Sequence, residues 1–398
     1  MPHLNDLSVE LKSTALANRR IALCVTGSIA ATETVKLARE LRRYGADVLA
    51  FLTPCAERFI TPLSLEWATT HPVRKDFSGS AEHIADVDFV LVAPATLHTL
   101  NKVSLGLADN VVTTLIASAL GKKLPLMFVP AMHDSLAQNP ILKKNMGLLK
   151  EFKNVSFLEP KEKEGKLKLL DAEEIVPEIS HLLNQKGRLS RKKILITAGP
   201  TKAHLDPVRF IGNISTGKLG LGLARELYLR GAEPTVVYGP GSESPHSYYR
   251  VLNVETPSQM LEQVLTLVKN ETYDVAIFSA AVLDHVPNVY MDQKLSSLEE
   301  LSVQWTSTPK IIREVDRVKA LYKVGFKLEW KKGEEDLLKI GEMALETMRA
   351  QVVVVNDLSL VSPEKHEAWI LDRKGQSIKV QTKNEIIQAL IQKLEDDL

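Results

Sequence analysis

Short apolar runs recur along this chain, and each gives way to a small-residue turn and then to a helix-like stretch. In the first half they fall at residues 21–25, 48–52, 89–92 and 126–129. In the second half they fall at 194–196, 234–238, 273–279, 301–305, 323–326 and 352–356. Runs of this length and β-branched content read as buried strands. Between them lie helical patterns with apolar positions at Val35, Leu37, Ala38 and Leu41, at Leu219, Leu223 and Leu227, and over residues 172–183, 257–269 and 334–350. Strands alternating with helices predict an α/β fold with doubly wound, Rossmann-like parallel sheets. Ligands of such sheets lie beyond the carboxyl ends of the strands, so the residues just after each run are the candidate site.

A chain of 398 residues is long enough for two domains, each with its own core. The polar, basic, aperiodic stretch 185–192 reads as a linker. It separates a domain over 19–184 from one over 193–398, with 1–18 as a short N-terminal extension holding at most one helix. Fifty basic against 49 acidic residues leave no global field to draw in nucleic acid or a membrane surface. No run approaches the roughly 20 apolar residues of a membrane span. Cys24 and Cys55 give neither a disulfide framework nor metal-ligand spacing, which points to a reducing cytoplasm.

In the first half, Gly27-Ser28-Ile29 follows the first run with small and hydroxyl-bearing residues at a helix start, a candidate phosphate cradle. Thr53-Pro54 follows the second run, Ala95-Thr96 and then Asn110 the third, and Ala131-Met132-His133 the fourth. In the second half a Gly199-Pro200 break and a loop with Asp206, Pro207 and Arg209 lead to Asn213-Ile214-Ser215-Thr216-Gly217-Lys218, at the start of a helical pattern. Backbone N–H groups there, with a lysine close behind, suit an anionic group. Ala280, Ala281 and Asp284 end the run 273–279. Small residues allow close approach of a base or ribose, and the carboxylate suits a hydroxyl or Mg²⁺.

Taken in order, the strand ends of the first half resemble the flavin-containing cysteine decarboxylases over most of residues 20–180. The words Ala198-Gly-Pro-Thr201, Leu205-Asp-Pro-Val-Arg209 and Asn213-x-Ser-Thr-Gly-Lys218 resemble the opening of phosphopantothenate:cysteine ligase. Together they resemble the bifunctional decarboxylase/ligase family of coenzyme A synthesis, a flavodoxin-like flavoprotein domain followed by a ligase domain. The resemblance implies FMN held by Gly27, Ser28, Thr53, Ala95, Thr96 and Asn110, and proton transfer at His83. His133 stands where asparagine usually contacts the substrate carboxylate. The family's flap cysteine has no counterpart in residues 158–171, which are charged and read as a solvated loop.

For the second half the resemblance implies CTP and Mg²⁺. Asp284 would carry the metal and Asn213 the acyl group, and Lys294 would assist formation of the activated intermediate. Ser215, Gly217, Lys218, Ala280, Ala281, Pro309, Lys310, Phe326 and Asn356 would line the nucleotide and substrate site. Ser296 and Ser297, and Ala344 and Met348 on the helix 334–350, occupy places where lysines are usual. The implied substrates are 4′-phosphopantothenate, cysteine and CTP. The implied assembly is a homo-oligomer of trimeric decarboxylase and dimeric ligase units. Two other readings stay open: a ligase with a degenerate flavin-binding or assembly half, and a non-catalytic partner-binding flavoprotein.

Overall fold

The structure is a computed structural model and describes residues 7–79, 81, 86–163, 166–294, 302–362 and 365–398. The chain divides into two compact units, Met1–Leu183 and Asn184–Leu398.

Unit 1 is built on a sheet in the order β2-β1-β3-β4-β6, where β1 is Arg20–Val25, β2 Asp47–Leu52, β3 Phe89–Ala95, β4 Leu126–Pro130 and β6 Val155–Phe157. All pairings are parallel, which places the topological switch between β1 and β3. Strands buried on both faces must be apolar throughout, and β3 and β4 are buried at every position. On one face Ala22, Val90, Val92 and Phe128 pack with Leu100, Leu115 and Leu142 of three helices. The helices Thr34–Arg43, Pro62–Thr69 and Ala172–Leu183 pack together elsewhere in the unit. Each enclosed leucine contributes roughly 1.5–3 kcal/mol.

The N-terminal stretch, read as an extension, is turn and coil over residues 8–18. It is nonetheless part of unit 1: Leu16 is fully buried, its N–H donates to Tyr44 O at 2.9 Å, and Lys12 pairs with the buried Glu40 at 2.7 Å. The charged stretch read as a solvated loop contains a hairpin, β7 (Lys161–Lys163) and β8 (Lys166–Lys168). β8 pairs antiparallel with β5 (Met132–His133), so that His133 lies opposite Lys166.

Unit 2 carries an eight-stranded sheet in the order β13-β12-β9-β14-β17-β18-β19-β20. Its parallel part comprises β9 (Lys193–Ala198), β12 (Glu233–Tyr238), β13 (Arg250–Asn253), β14 (Val275–Phe278), β17 (Tyr322–Glu329) and β18 (Val352–Val361). In chain order this is the 3-2-1-4-5-6 arrangement of dinucleotide-binding folds, with the switch between β9 and β14. β19 (His366–Asp372) and β20 (Ser377–Val380) add an antiparallel edge that the expected all-parallel sheet did not include.

Alternation along β18 sends Val352 and Val354 to the face covered by the helices Lys218–Leu229 and Lys383–Asp397. It sends Val353 and Val355 to the face covered by Glu334–Met348. The stretch read as a linker belongs to this unit, since Leu189 is fully buried in its core and Arg191 N–H donates to Gly231 O at 2.9 Å. The expected strand 301–305 is displaced to β16 (Trp305–Ser307), which pairs with β15 (His285–Pro287); Leu301 lies outside the described residues.

Candidate active sites

In unit 1 the turns after β1, β2 and β3 are tied into one rim. Thr26 Oγ1 donates to Pro94 O at 2.7 Å and lies 3.2 Å from Thr96 Oγ1, while Thr53 N–H donates to Val25 O at 3.1 Å. Ala131 N–H donates to Ala95 O at 3.3 Å and brings the fourth strand end into the same rim. Ser28 caps the short 3₁₀ turn Ile29–Glu33 by accepting from Ala30 N–H, and Thr96 caps the helix Leu97–Ser104. Thr53 is 7% exposed, and its hydroxyl is buried with no partner among the described residues. A buried hydroxyl left unsatisfied costs about 1–3 kcal/mol, and a polar ligand on this rim would satisfy it. Ser28, Thr53 and Thr96 give this rim hydroxyl groups of the kind a flavin nucleotide could use.

Ala95 is fully enclosed, and Asn110 is accounted for by a capping box with Thr113 at the head of the helix Val111–Lys122. His83 lies outside the described residues. His133 is exposed, and its Nδ1 accepts from Ser135 N–H at 3.2 Å, so the neutral ring carries its proton on Nε2. That places a single outward donor, of the kind a carboxylate accepts. Cys24, fully buried, has its thiol pushed well above the usual range by burial and is no nucleophile.

In unit 2 the turns after β9 and β14 are joined at the switch. Pro200 and Ala281 form a bridge, Ala281 N–H donates to Gly199 O at 2.9 Å, and Leu283 N–H donates to Thr201 Oγ1 at 3.0 Å. Asn213 Nδ2 donates to Ala281 O at 3.0 Å, which brings Asn213, Ala280 and Ala281 together. The loop leading there contains an unanticipated hairpin of β10 (Lys202–His204) and β11 (Phe210–Gly212). Buried Asp206 closes it by accepting from the N–H groups of Val208 and Arg209.

The helix Lys218–Leu229 starts at Gly217, whose φ of 84° favours glycine and which offers no side-chain cap. A Cβ on Gly220 would lie 2.5 Å from Ala198 Cβ, so glycine there lets the helix start sit against the end of β9. Lys218 N–H donates to Thr216 Oγ1 at 3.2 Å, and the later N–H groups of the first turn face the place where an anion would sit.

Asp284 forms an ion pair with Lys310, and Thr308 N–H donates to Asp284 O at 2.9 Å. These contacts position Asp284, Pro309 and Lys310 on one loop pair. No group of three His, Cys, Asp or Glu side chains among the described residues could hold a metal alone.

Lys294 is exposed, and no hydrogen bond or ion pair joins it to these groups among the described residues; Ser296 and Ser297 lie outside them. Ser215 and Phe326 are half-buried, and Asn356 is buried beside His366. Ala344 is only 4% exposed, and Met348 packs beside it, half-buried, under the helix Glu334–Met348. Lys323, in the strand leading to Phe326, is fully buried with its ammonium 2.6 Å from Asp316 Oδ1 and 2.8 Å from Met348 O, a structural ion pair. His366 was missed by sequence reasoning, because nothing in its spacing from Asn356 shows that an antiparallel turn brings the two together.

Residues 10–184 match the flavoprotein family, and residues 189–398 match the C-terminal domain of the DNA/pantothenate metabolism flavoproteins. Over 407 residues, 99% of both chains, the protein is 37% identical to the coenzyme A biosynthesis bifunctional protein CoaBC of Thermococcus kodakarensis. It is 32% identical to that of Methanocaldococcus jannaschii over 98% of this chain and 97% of the relative. A DNA/pantothenate metabolism flavoprotein of Streptococcus pneumoniae, solved by crystallography, aligns at 29% identity with 52% of this chain and 99% of its own, with a TM-score of 0.47. With both halves matched in order and a relative aligned from end to end, the chain belongs to the family of coenzyme A biosynthesis bifunctional proteins.

Proposed function

We propose that unit 2 joins cysteine to 4′-phosphopantothenate at the expense of CTP, and that unit 1 decarboxylates the product to 4′-phosphopantetheine with FMN. The observation that carries the ligase reading is the convergence at the β9–β14 switch: the helix start at Gly217-Lys218, the Asn213–Ala281 contact and the Asp284–Lys310 pair all belong to the turns that meet there. The substrate carboxylate attacks the α-phosphorus of CTP, giving an acyl cytidylate and pyrophosphate. The amine of cysteine then attacks the acyl carbon, and CMP leaves. The helix start and Lys218 would offset phosphate charge, Asp284 would supply an oxygen to Mg²⁺, and Asn213 would orient the acyl group.

In unit 1, Gly27, Ser28, Thr53 and Thr96 would hold the flavin. Flavin, when bound, supplies the redox chemistry that makes carbon dioxide loss easy. His133 donates Nε2–H to the departing carboxylate, and His83 handles the proton. The absence of cysteine from residues 158–171 favours, as a second reading, a unit 1 that binds flavin without full turnover. We also propose a cytoplasmic homo-oligomer.

CTP-dependent pyrophosphate release tests the ligase reading. It should require both 4′-phosphopantothenate and Mg²⁺, and Asp284→Ala should lower it about 100-fold or more. Release unaffected by Asp284→Ala would overturn the assignment of the metal.

A further inference from the structure

Asn356 lies towards the carboxyl end of the parallel part of β18 and is 7% exposed. Its amide Nδ2 is 3.4 Å from Nε2 of His366 on the neighbouring antiparallel strand β19. An amide NH₂ only donates, so Nε2 is the acceptor, and the neutral ring of His366 carries its proton on Nδ1. That Nδ1 is buried and has no partner among the described residues. The backbone N–H of His366 donates to Gln381 O at 2.7 Å, which anchors the ring beside the start of the helix Lys383–Asp397.

Lys365 and Glu367, on either side of His366, pair with each other at 3.1 Å. Lys383 acts on His366, and Lys218 and Glu243 act on Lys383 in turn. The starts of the two helices that Lys218 and Lys383 lead lie side by side: a Cβ on Gly222, one turn into the first, would lie 2.7 Å from Ile387 Cδ1, one turn into the second. Burial and then the Lys383 ammonium both lower the pKa of His366, so the ring is neutral at neutral pH.

We propose that His366 is a positioning residue of the ligase site, which accepts from Asn356 Nδ2 and so leaves Asn356 Oδ1 as the end presented to the nucleotide. The inference rests on reading Asn356 as a nucleotide contact. An amide oxygen accepts, so the end presented recognises a donor on the nucleotide, an exocyclic amine or a ribose hydroxyl. Protonation of His366 puts a donor at Nε2 opposite the donor of the amide. The amide must then turn over or separate, and the acceptor presented to the nucleotide is lost.

The test is the pH dependence of CTP-driven ligation in the full-length protein, with His366→Leu, His366→Gln and Asn356→Ala beside the wild type and folding checked by circular dichroism. His366→Leu should raise the KM for CTP about tenfold with little change in kcat. His366→Gln, whose side-chain oxygen still accepts, should recover the wild-type KM and lack the acid limb of kcat/KM that the wild type shows. A folded His366→Leu protein with wild-type KM and pH profile overturns the proposal, as does an unchanged acid limb in His366→Gln. Where the leucine variant does not fold, the glutamine variant decides alone. An unchanged KM in Asn356→Ala removes Asn356 from the nucleotide site and the proposal with it. A KM raised in Asn356→Ala but not in His366→Leu overturns the role of His366 alone.

Discussion

Asp357 shows how one side chain can set a strand end. It is 1% exposed, and its carboxylate accepts from the N–H groups of Lys332 at 2.5 Å, Ser359 at 2.7 Å and Lys331 at 3.0 Å. Burial alone would raise its pKa, but hydrogen bonds from Ser359, Lys332 and Lys331 hold it down at about 2. Because the folded value lies below the unfolded value of about 3.9, the stabilisation is complete above that value and is lost as pH falls towards 2. Asp357→Ala should therefore lower the Tm at pH 7, and should flatten the fall in Tm of the wild type between about pH 4 and 2. Equal slopes in that window would contradict the assignment. At this scale the sequence was uneven in what it revealed. Asn213, Asp284 and Lys310 sit in short words tied to strand ends, so sequence alone marks them as candidates, whereas His366 meets Asn356 only through the pairing of β18 with β19. Ala344 and Met348, at places where the resemblance puts lysines, pack towards the sheet, and the sequence does not say which face of a helix does so.

Among the elements, strands enclosed on both faces were the most legible, since burial forces a continuous apolar run: β1, β3, β4, β9 and β18 all appear near their expected places. The hairpins were not. β7 and β8 are lysine- and glutamate-rich, and only pairing with β5 makes strands of them; the edge strands β19 and β20 likewise depend on tertiary neighbours more than on local pattern. The β5–β8 pairing ties the charged stretch to the segment that carries His133. His133→Ala should reduce decarboxylation of 4′-phosphopantothenoylcysteine about tenfold or more, while leaving CTP-dependent pyrophosphate release unchanged. Parallel assays of the two half-reactions on one preparation check this. Equal loss in both would mean that the substitution acts on folding rather than on the carboxylate.

For the whole molecule, the two units repeat one physical solution: a parallel sheet with a switch point, and small residues where strands pass into helices. The switch lies between β1 and β3 in unit 1 and between β9 and β14 in unit 2, and both candidate sites gather there. That sites lie beyond the carboxyl ends of the strands followed from the spacing of apolar runs; which strands flank each switch did not. The extent of each unit did not, because residues 8–18 and 185–192 are polar in sequence yet are held by backbone hydrogen bonds and by single buried leucines, Leu16 and Leu189. The central claim is that one chain performs both reactions in sequence. Its most direct test is mass analysis of products after the purified protein is incubated with 4′-phosphopantothenate, cysteine, CTP, Mg²⁺ and FMN. Accumulation of 4′-phosphopantetheine is the predicted result. A reaction that stops at 4′-phosphopantothenoylcysteine would contradict the claim and leave only the ligase.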